Sequence, residues 1–225
     1  MTTSWQITFL SLTNRLLPVD MNFLHTLDEK QQRVGAVVLA GGLARRMGGQ
    51  DKGLVELGNR PMAGWAVEAI RTQVHQLVIN ANRNHEAYSG LGCDVVADRH
   101  SGHIGPLAGL SAAMHHLDTD YVFMCPCDSP FIDSSLVDLL GHACIGQNSD
   151  IAVAHDGVRM QPVFCLAHKR SLSSLDAYLE SGERKIDRWY DTMKTVEVDC
   201  STVAVSFRNI NTEDERMAAM TELPV

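Results

Sequence analysis

The residues that most restrict the fold are Val34-Gly35-Ala36-Val37-Val38-Leu39, a continuous apolar run that ends directly in Ala40-Gly41-Gly42. A half-exposed strand alternates apolar and polar residues, whereas an unbroken short run reads as a strand buried on both faces. Burial on both faces belongs to parallel sheets covered by helices on either side. The run therefore predicts a buried strand of an α/β layer structure. At its carboxyl end follows a polar, glycine-rich and arginine-rich loop that reaches Lys52.

The rest of the chain repeats this alternation. After Pro61, the residues Met62, Trp65, Ala66, Ala69 and Ile70 keep helical spacing, with proline near the first turn. Gln76–Ile79 and Cys93–Ala97 predict two more strands, and a helix beginning near Pro106 leads to Tyr121–Cys125, the clearest strand of all. Further on, Ile151–His155 and Gln161–Leu166 flank Asp156-Gly157 as a hairpin added to the sheet. Helices follow near Arg170–Ser181 and Thr212–Thr221. Strands alternating with helices predict βαβ units, hence a Rossmann-like three-layer α/β/α fold with a mostly parallel sheet and an added hairpin. No repeat and no Pro-, Gly- or Ser-rich linker divides residues 34–225, which are expected to form a single domain. Residues 1–33 are expected to be a weakly ordered N-terminal extension, and Met21 offers an alternative start.

Charge narrows the partners. With 19 Lys+Arg against 27 Asp+Glu, the net charge of -8 opposes nucleic acids and anionic membrane surfaces. No apolar stretch approaches the roughly 20 residues needed to cross a bilayer. The six cysteines show no C-x-x-C pairing and read as reduced thiols of a cytoplasmic protein. Lack of an obvious exposed apolar helix predicts a monomer.

In open α/β sheets ligands bind beyond the carboxyl ends of the strands, so the loops there are the places for chemistry. The first holds Gly41, Gly42, Gly48 and Gly49 with Arg45, Arg46 and Lys52. Glycines let backbone N–H groups approach a phosphate, and Arg46 with Lys52 could neutralise a polyphosphate; a solvated surface loop is the alternative. The loop has neither the Gly-Lys-Ser/Thr of a Walker A motif nor G-x-G-x-x-G. Asn80-Ala81-Asn82-Arg83 offers amides for a base edge or ribose, or is simply a turn. Asp98 could accept from a guanine amine or a ribose, or cap a helix. Cys125-Pro126-Cys127-Asp128 places a carboxylate behind the clearest strand, where magnesium needs only one or two such groups besides phosphate oxygens and water. A zinc site is not expected, because C-x-C without a second thiol pair is more often buried structure.

Together these segments resemble the molybdenum cofactor guanylyltransferase family. Leu39–Lys52 is similar to the family pattern L-A-G-G-x-x-x-R-M-G-x-x-K, and likeness extends to Asn80–Arg83, Gly105–Gly109, Cys125–Asp128 and Asn209-Ile210-Asn211-Thr212. The resemblance implies a nucleotide-diphospho-sugar transferase type of fold and transfer of GMP from GTP to the terminal phosphate of molybdenum-molybdopterin, with Mg²⁺ as cofactor. It implies that Leu39, Ala40, Gly41 and Gly42 contact the nucleotide, Lys52 and Arg46 its phosphates, Asn80 and Asp98 the guanosine end, and Asp128 the metal. Asn209 and Asn211 are implied on the metal or pterin side, as is the loop carrying Arg184. Cytidylyl relatives usually read L-A-A-G and G-D-M-P at the matching places, which favours GTP. Transient contact with other cofactor-synthesis proteins is implied too. Two rivals stay open: a transferase of the same fold with another base or acceptor, cytidylyl or sugar-phosphate, and a non-catalytic nucleotide-binding module. Intact Lys52 and Asp128 weigh against the second.

Overall fold

The computed structural model describes residues 23–40, 43–44, 50–99 and 105–223. In chain order, α1 (Phe23–Glu29) precedes β1 (Val34–Leu39), two short ribbons, β2 (Leu43–Ala44) with β3 (Gln50–Asp51) and β4 (Glu56–Leu57) with β5 (Arg60–Pro61), and α2 (Met62–Arg71). Then come β6 (Gln76–Asn80), α3 (His85–Ser89), β7 (Asp94–Val96), α4 (Pro106–His116), β8 (Tyr121–Pro126) and α5 (Leu136–Gly146). The chain continues through β9 (Ile151–His155), β10 (Met160–His168), α6 (Leu172–Glu180), α7 (Ile186–Tyr190), β11 (Thr195–Asp199) and α8 (Glu213–Met220).

Seven strands form the main sheet in the order β11-β9-β10-β8-β1-β6-β7. β1 lies parallel to both β6 and β8, and β6 parallel to β7. The hairpin expected across Asp156-Gly157 is present as β9–β10, with β10 antiparallel to β8. It does not end the sheet, however. β11 lies beyond it, parallel to β9, and its outward Glu197 and Asp199 give this margin the polar character that suits an edge.

Side-chain alternation along β1 builds the layers. Val34, Ala36 and Val38 enter one core with residues of α1, α2 and α5, including Leu27, Ile70 and Leu140. Val37 enters the opposite core with Leu107 and Leu110 of α4, Leu175 of α6 and Trp189 of α7. Helices thus cover both faces, as an unbroken apolar strand requires. A smaller cluster of Val55, Leu57, Met62, Trp65, Ile210 and Ala219 fastens α8 to the stretch after Lys52. Among the described residues no helix is long and apolar enough to cross a membrane.

Part of the stretch ahead of Val34 is helical and packed. α1 packs on α5: Phe23 and Leu27 are fully buried, each contributing roughly 1.5–3 kcal/mol on the usual transfer scale. The Phe23 backbone N–H donates to Asp138 Oδ1 at 3.0 Å, and Asp28 Oδ1 meets His75 Nε2 at 3.1 Å. A helix of 7 residues with three apolar side chains, Phe23, Leu24 and Leu27, carries too little periodicity to be read from sequence. Residues 1–22 lie outside the described residues.

Candidate active site

Strand register gathers the site. Leu39 pairs with Asn80 on one side and Pro126 on the other, and Asn80 pairs with Val96, so β1, β6, β7 and β8 end at one level. Backbone bonds carry the ladder past the strand ends: Ala40 N–H donates to Asn80 O at 2.8 Å and Cys127 N–H to Leu39 O at 3.0 Å. Strand order reverses at β1, with β6 beside it on one edge and the later β8 on the other. The crevice outside such a switch point is where open α/β sheets bind ligands.

Lys52 and Asp128 meet there. The Lys52 ammonium pairs with Asp128 Oδ2, both side chains only 13% exposed, and donates to Asn211 Oδ1 at 2.6 Å. The other oxygen, Asp128 Oδ1, is buried and takes no hydrogen bond from the described residues. An unmet buried acceptor costs about 1–3 kcal/mol, and a hard cation is the ligand that a bare carboxylate oxygen suits. No group of three or more His, Cys, Asp or Glu able to hold a metal gathers among the described residues. A cation held by Asp128 would therefore depend on water and substrate oxygens, as magnesium commonly does.

The lysine is set by what flanks it. A Cβ on Gly53 would lie 2.6 Å from Tyr88 Oη and 3.2 Å from Cys127 Sγ, so only glycine lets this turn settle onto the sheet end. Cys127 is a packing thiol: burial, then the adjacent Asp128 carboxylate, pushes it well above its ordinary range. Cys125, wholly buried, is shifted the same way by burial.

Asn80 and Asp98 form the second half of the site. Asn80 Nδ2 donates to Asp98 Oδ1 at 3.0 Å and to Val96 O at 3.2 Å. Asn82 exchanges two bonds with Asp98, its Nδ2 donating to Oδ2 at 2.8 Å and its Oδ1 accepting from the Asp98 N–H at 2.8 Å. Each carboxylate oxygen keeps capacity for a further donor. Gly109 of α4 makes room for this group, since a Cβ there would overlap both the Asn80 amide oxygen and the Leu39 side chain.

Asn209 and Asn211 approach on the strand-ladder side, where Ile210 N–H donates to Asp128 O at 2.9 Å. Ser129 Oγ donates to Asn209 Oδ1 at 2.6 Å. Glu215 Oε2 accepts from the N–H groups of Asn211 at 2.7 Å and Thr212 at 3.0 Å, while Thr212 caps α8 in return. Thr212 and Glu215 form a Thr-x-x-Glu capping box, and the Glu215 carboxylate also holds the Asn211 N–H. Arg184 stands apart, donating to the carbonyls of Leu179 at 2.7 Å and Glu183 at 2.5 Å near the end of α6. Gly41, Gly42 and Arg46 lie outside the described residues. Sequence reading also passed over Asp51, which accepts from Arg83, Asn84 and Tyr88.

A mostly parallel sheet with helices on both faces, a cation and a carboxylate at its switch point, and an amide-carboxylate group beside them define a nucleotidyltransferase. The sequence pattern of the MobA-like NTP transferase domain matches residues 36–198. The chain is 45% identical over 184 residues to the molybdenum cofactor guanylyltransferase of Shewanella halifaxensis, covering 82% of this chain and 92% of that one. It is 46% identical over 184 residues to its counterpart from Shewanella pealeana, at the same coverage of 82% and 92%. Molybdopterin-guanine dinucleotide biosynthesis protein A from Archaeoglobus fulgidus shares the fold, with a TM-score of 0.70 and 23% identity over 84% of this chain and 97% of that one. The chain belongs to the molybdenum cofactor guanylyltransferase family.

Proposed function

We propose that this enzyme transfers GMP from GTP to the terminal phosphate of molybdenum-molybdopterin, giving molybdopterin guanine dinucleotide and pyrophosphate. The observation that carries the reading is Lys52 held beside Asp128, whose other oxygen is buried without a hydrogen bond from the described residues, at the switch point of the sheet. Family membership supplies the base and the acceptor.

In the reaction an oxygen of the molybdopterin phosphate attacks the α-phosphorus of GTP. The new P–O bond forms as the bond to the β-phosphate bridge breaks, and pyrophosphate leaves with its electrons. The attacking phosphate is already anionic near neutral pH, so no general base and no covalent enzyme intermediate are needed. Charge neutralisation and alignment are what the residues must provide. Lys52 and Arg46 serve the triphosphate, and Leu39, Ala40, Gly41 and Gly42 contact the nucleotide. Asn80 and Asp98 hold the guanosine end. Asp128 would hold Mg²⁺, with Asn211 and Asn209 near it or near the pterin phosphate. The ion, when bound, neutralises phosphate charge. The loop with Arg184 is assigned to the pterin side. With six free cysteines, five of them buried, the enzyme is suited to the reducing cytoplasm, where other cofactor-synthesis proteins would meet it transiently.

The test is pyrophosphate release with each substrate alone and with both. Release only when GTP and molybdopterin are present together is expected. Equal release with CTP, or release indifferent to molybdopterin, would overturn the assignment.

A further inference from the structure

Asp51 is the one charged residue among the described residues whose side chain and backbone together are buried, and the reaction above makes no use of it. A buried carboxylate must be matched by donors or its desolvation is uncompensated. Among the described residues three donors meet it, all from the segment that follows β6. Arg83 Nε and Asn84 Nδ2 each lie 3.0 Å from Oδ2, and Tyr88 donates its hydroxyl to Oδ1 at 2.5 Å. Asn84 precedes α3 with φ 53, yet its side chain does not cap that helix; its amide turns to Asp51 instead. Asparagine is among the few residues that tolerate this left-handed backbone.

The consequence lies one residue on. Lys52 is bracketed by two contacts with Tyr88: the Asp51 carboxylate before it takes the hydroxyl, and Gly53 after it packs against the same oxygen. The segment that supplies the donors begins with Asn80 and Asn82, which hold Asp98. Asp51 therefore joins the backbone of the phosphate-end lysine to the loop of the base-end amides.

We propose that Asp51 is a positioning residue for nucleotidyl transfer: anchored by Arg83, Asn84 and Tyr88, it sets Lys52 at a fixed offset from the Asn80–Asn82 loop, so that both reach one nucleotide. This rests on the role given to Lys52 above. Misplacing a reacting group by about 1 Å can cost on the order of 10²-fold in rate. A carboxylate that only stabilised the fold would instead lower the melting temperature and leave the turnover of folded enzyme alone.

A kinetic cycle separates the two. kcat is measured at saturating Mg-GTP and molybdopterin for Asp51→Ala, Lys52→Ala and the double variant, each normalised to folded protein. Asp51→Ala is expected to lower kcat by about tenfold or more, and to change it less than about threefold in the Lys52→Ala background, because a lysine that is gone cannot be misplaced. Losses that multiply in the double variant overturn the proposal. An unchanged kcat in Lys52→Ala alone overturns the reading of Lys52 instead, so the two failures are distinguishable. Should Asp51→Ala not fold, Tyr88→Phe replaces it in the cycle. It removes one hydroxyl and keeps the buried ring, and a smaller loss of kcat that disappears without Lys52 is expected. Wild-type kcat in Tyr88→Phe would then overturn the proposal.

Discussion

Lys52 and Asp128, 76 residues apart in sequence, form an ion pair beyond the carboxyl ends of β1 and β8. The pair is asymmetric. Lys52 has a second partner in Asn211, whereas the second oxygen of Asp128 is buried with no hydrogen bond from the described residues. This asymmetry is what the metal role proposed for Asp128 rests on.

Replacing Asp128 with alanine is expected to lower turnover by at least about 10²- to 10³-fold while the fold survives. Its side chain faces Lys52 and not the apolar cores, and Lys52 would retain Asn211. Pyrophosphate release together with thermal melting checks both halves. Near-normal turnover in a folded variant would remove Asp128 from the reaction.

Lys52→Ala should act mainly on kcat. Charge that grows on the departing pyrophosphate is neutralised in the transition state, so losing the ammonium affects a step beyond ground-state binding. Lys52→Arg should not restore the rate, because a planar guanidinium cannot occupy the compact point-charge position between Asp128 and Asn211. Steady-state kinetics at saturating GTP decides this; a change confined to KM would assign Lys52 to uniform binding.

Gly109→Ala tests the base end without removing any polar group. The added methyl would overlap Asn80 and Leu39, and overpacking of this kind typically costs about 1–3 kcal/mol. Since Asn80 must shift, Mg-GTP titration should report weakened binding with a modestly lowered melting temperature. Unaltered affinity would show that the position of Asn80 is immaterial to the nucleotide.

The thiols give an alkaline prediction. Burial raises Cys144 and Cys200 from an ordinary 9.0 to about 11. A group whose folded pKa is raised stabilises the fold fully below its unfolded pKa and loses that contribution as pH climbs through the folded value. Stability should accordingly be insensitive to these two groups below pH 9.0 and decline from there towards about 11. Chemical unfolding across that range measures it, and Cys144→Ala with Cys200→Ala should flatten the decline.

The legible parts of the molecule were those written in contiguous residues. β1 announced itself because burial on both faces removes every polar residue from Val34 to Leu39, and the loops behind such strands are where ligands bind, so Lys52, Asn80, Asp98 and Asp128 could be singled out together. What stayed hidden was written across the chain. Asp51 reads as one more acid in a polar loop until folding brings Arg83, Asn84 and Tyr88 to it over 32 to 37 residues. β11 escaped because Thr195–Asp199 keeps two charges at a sheet margin, so its apolar signal is half that of a central strand. α1 escaped because Phe23 and Leu27 mean little without the α5 surface that buries them.

On the function proposed above, selection of GTP over ATP and CTP is expected to follow from the acceptors that Asp98 retains. Guanine presents a ring N–H and an exocyclic amine side by side, a donor pair that adenine and cytosine lack. Asp98 is steadied by Asn80 and Asn82, and each of its oxygens has capacity beyond the one donor it takes from them. Asp98 is half-buried, and once a base covers it, a nucleotide without the matching donors leaves its acceptors unmet at about 1–3 kcal/mol each, roughly five- to 150-fold per group. Titrations with Mg-GTP, Mg-ATP and Mg-CTP should therefore rank GTP first by at least about tenfold. Asp98→Ala should narrow that gap chiefly by weakening GTP, because ATP and CTP draw nothing from the carboxylate. A uniform loss for all three nucleotides would instead place Asp98 in holding the loop, and equal affinities in the unmodified enzyme would defeat the guanylyl assignment while leaving Lys52 and Asp128 in a transferase of another base.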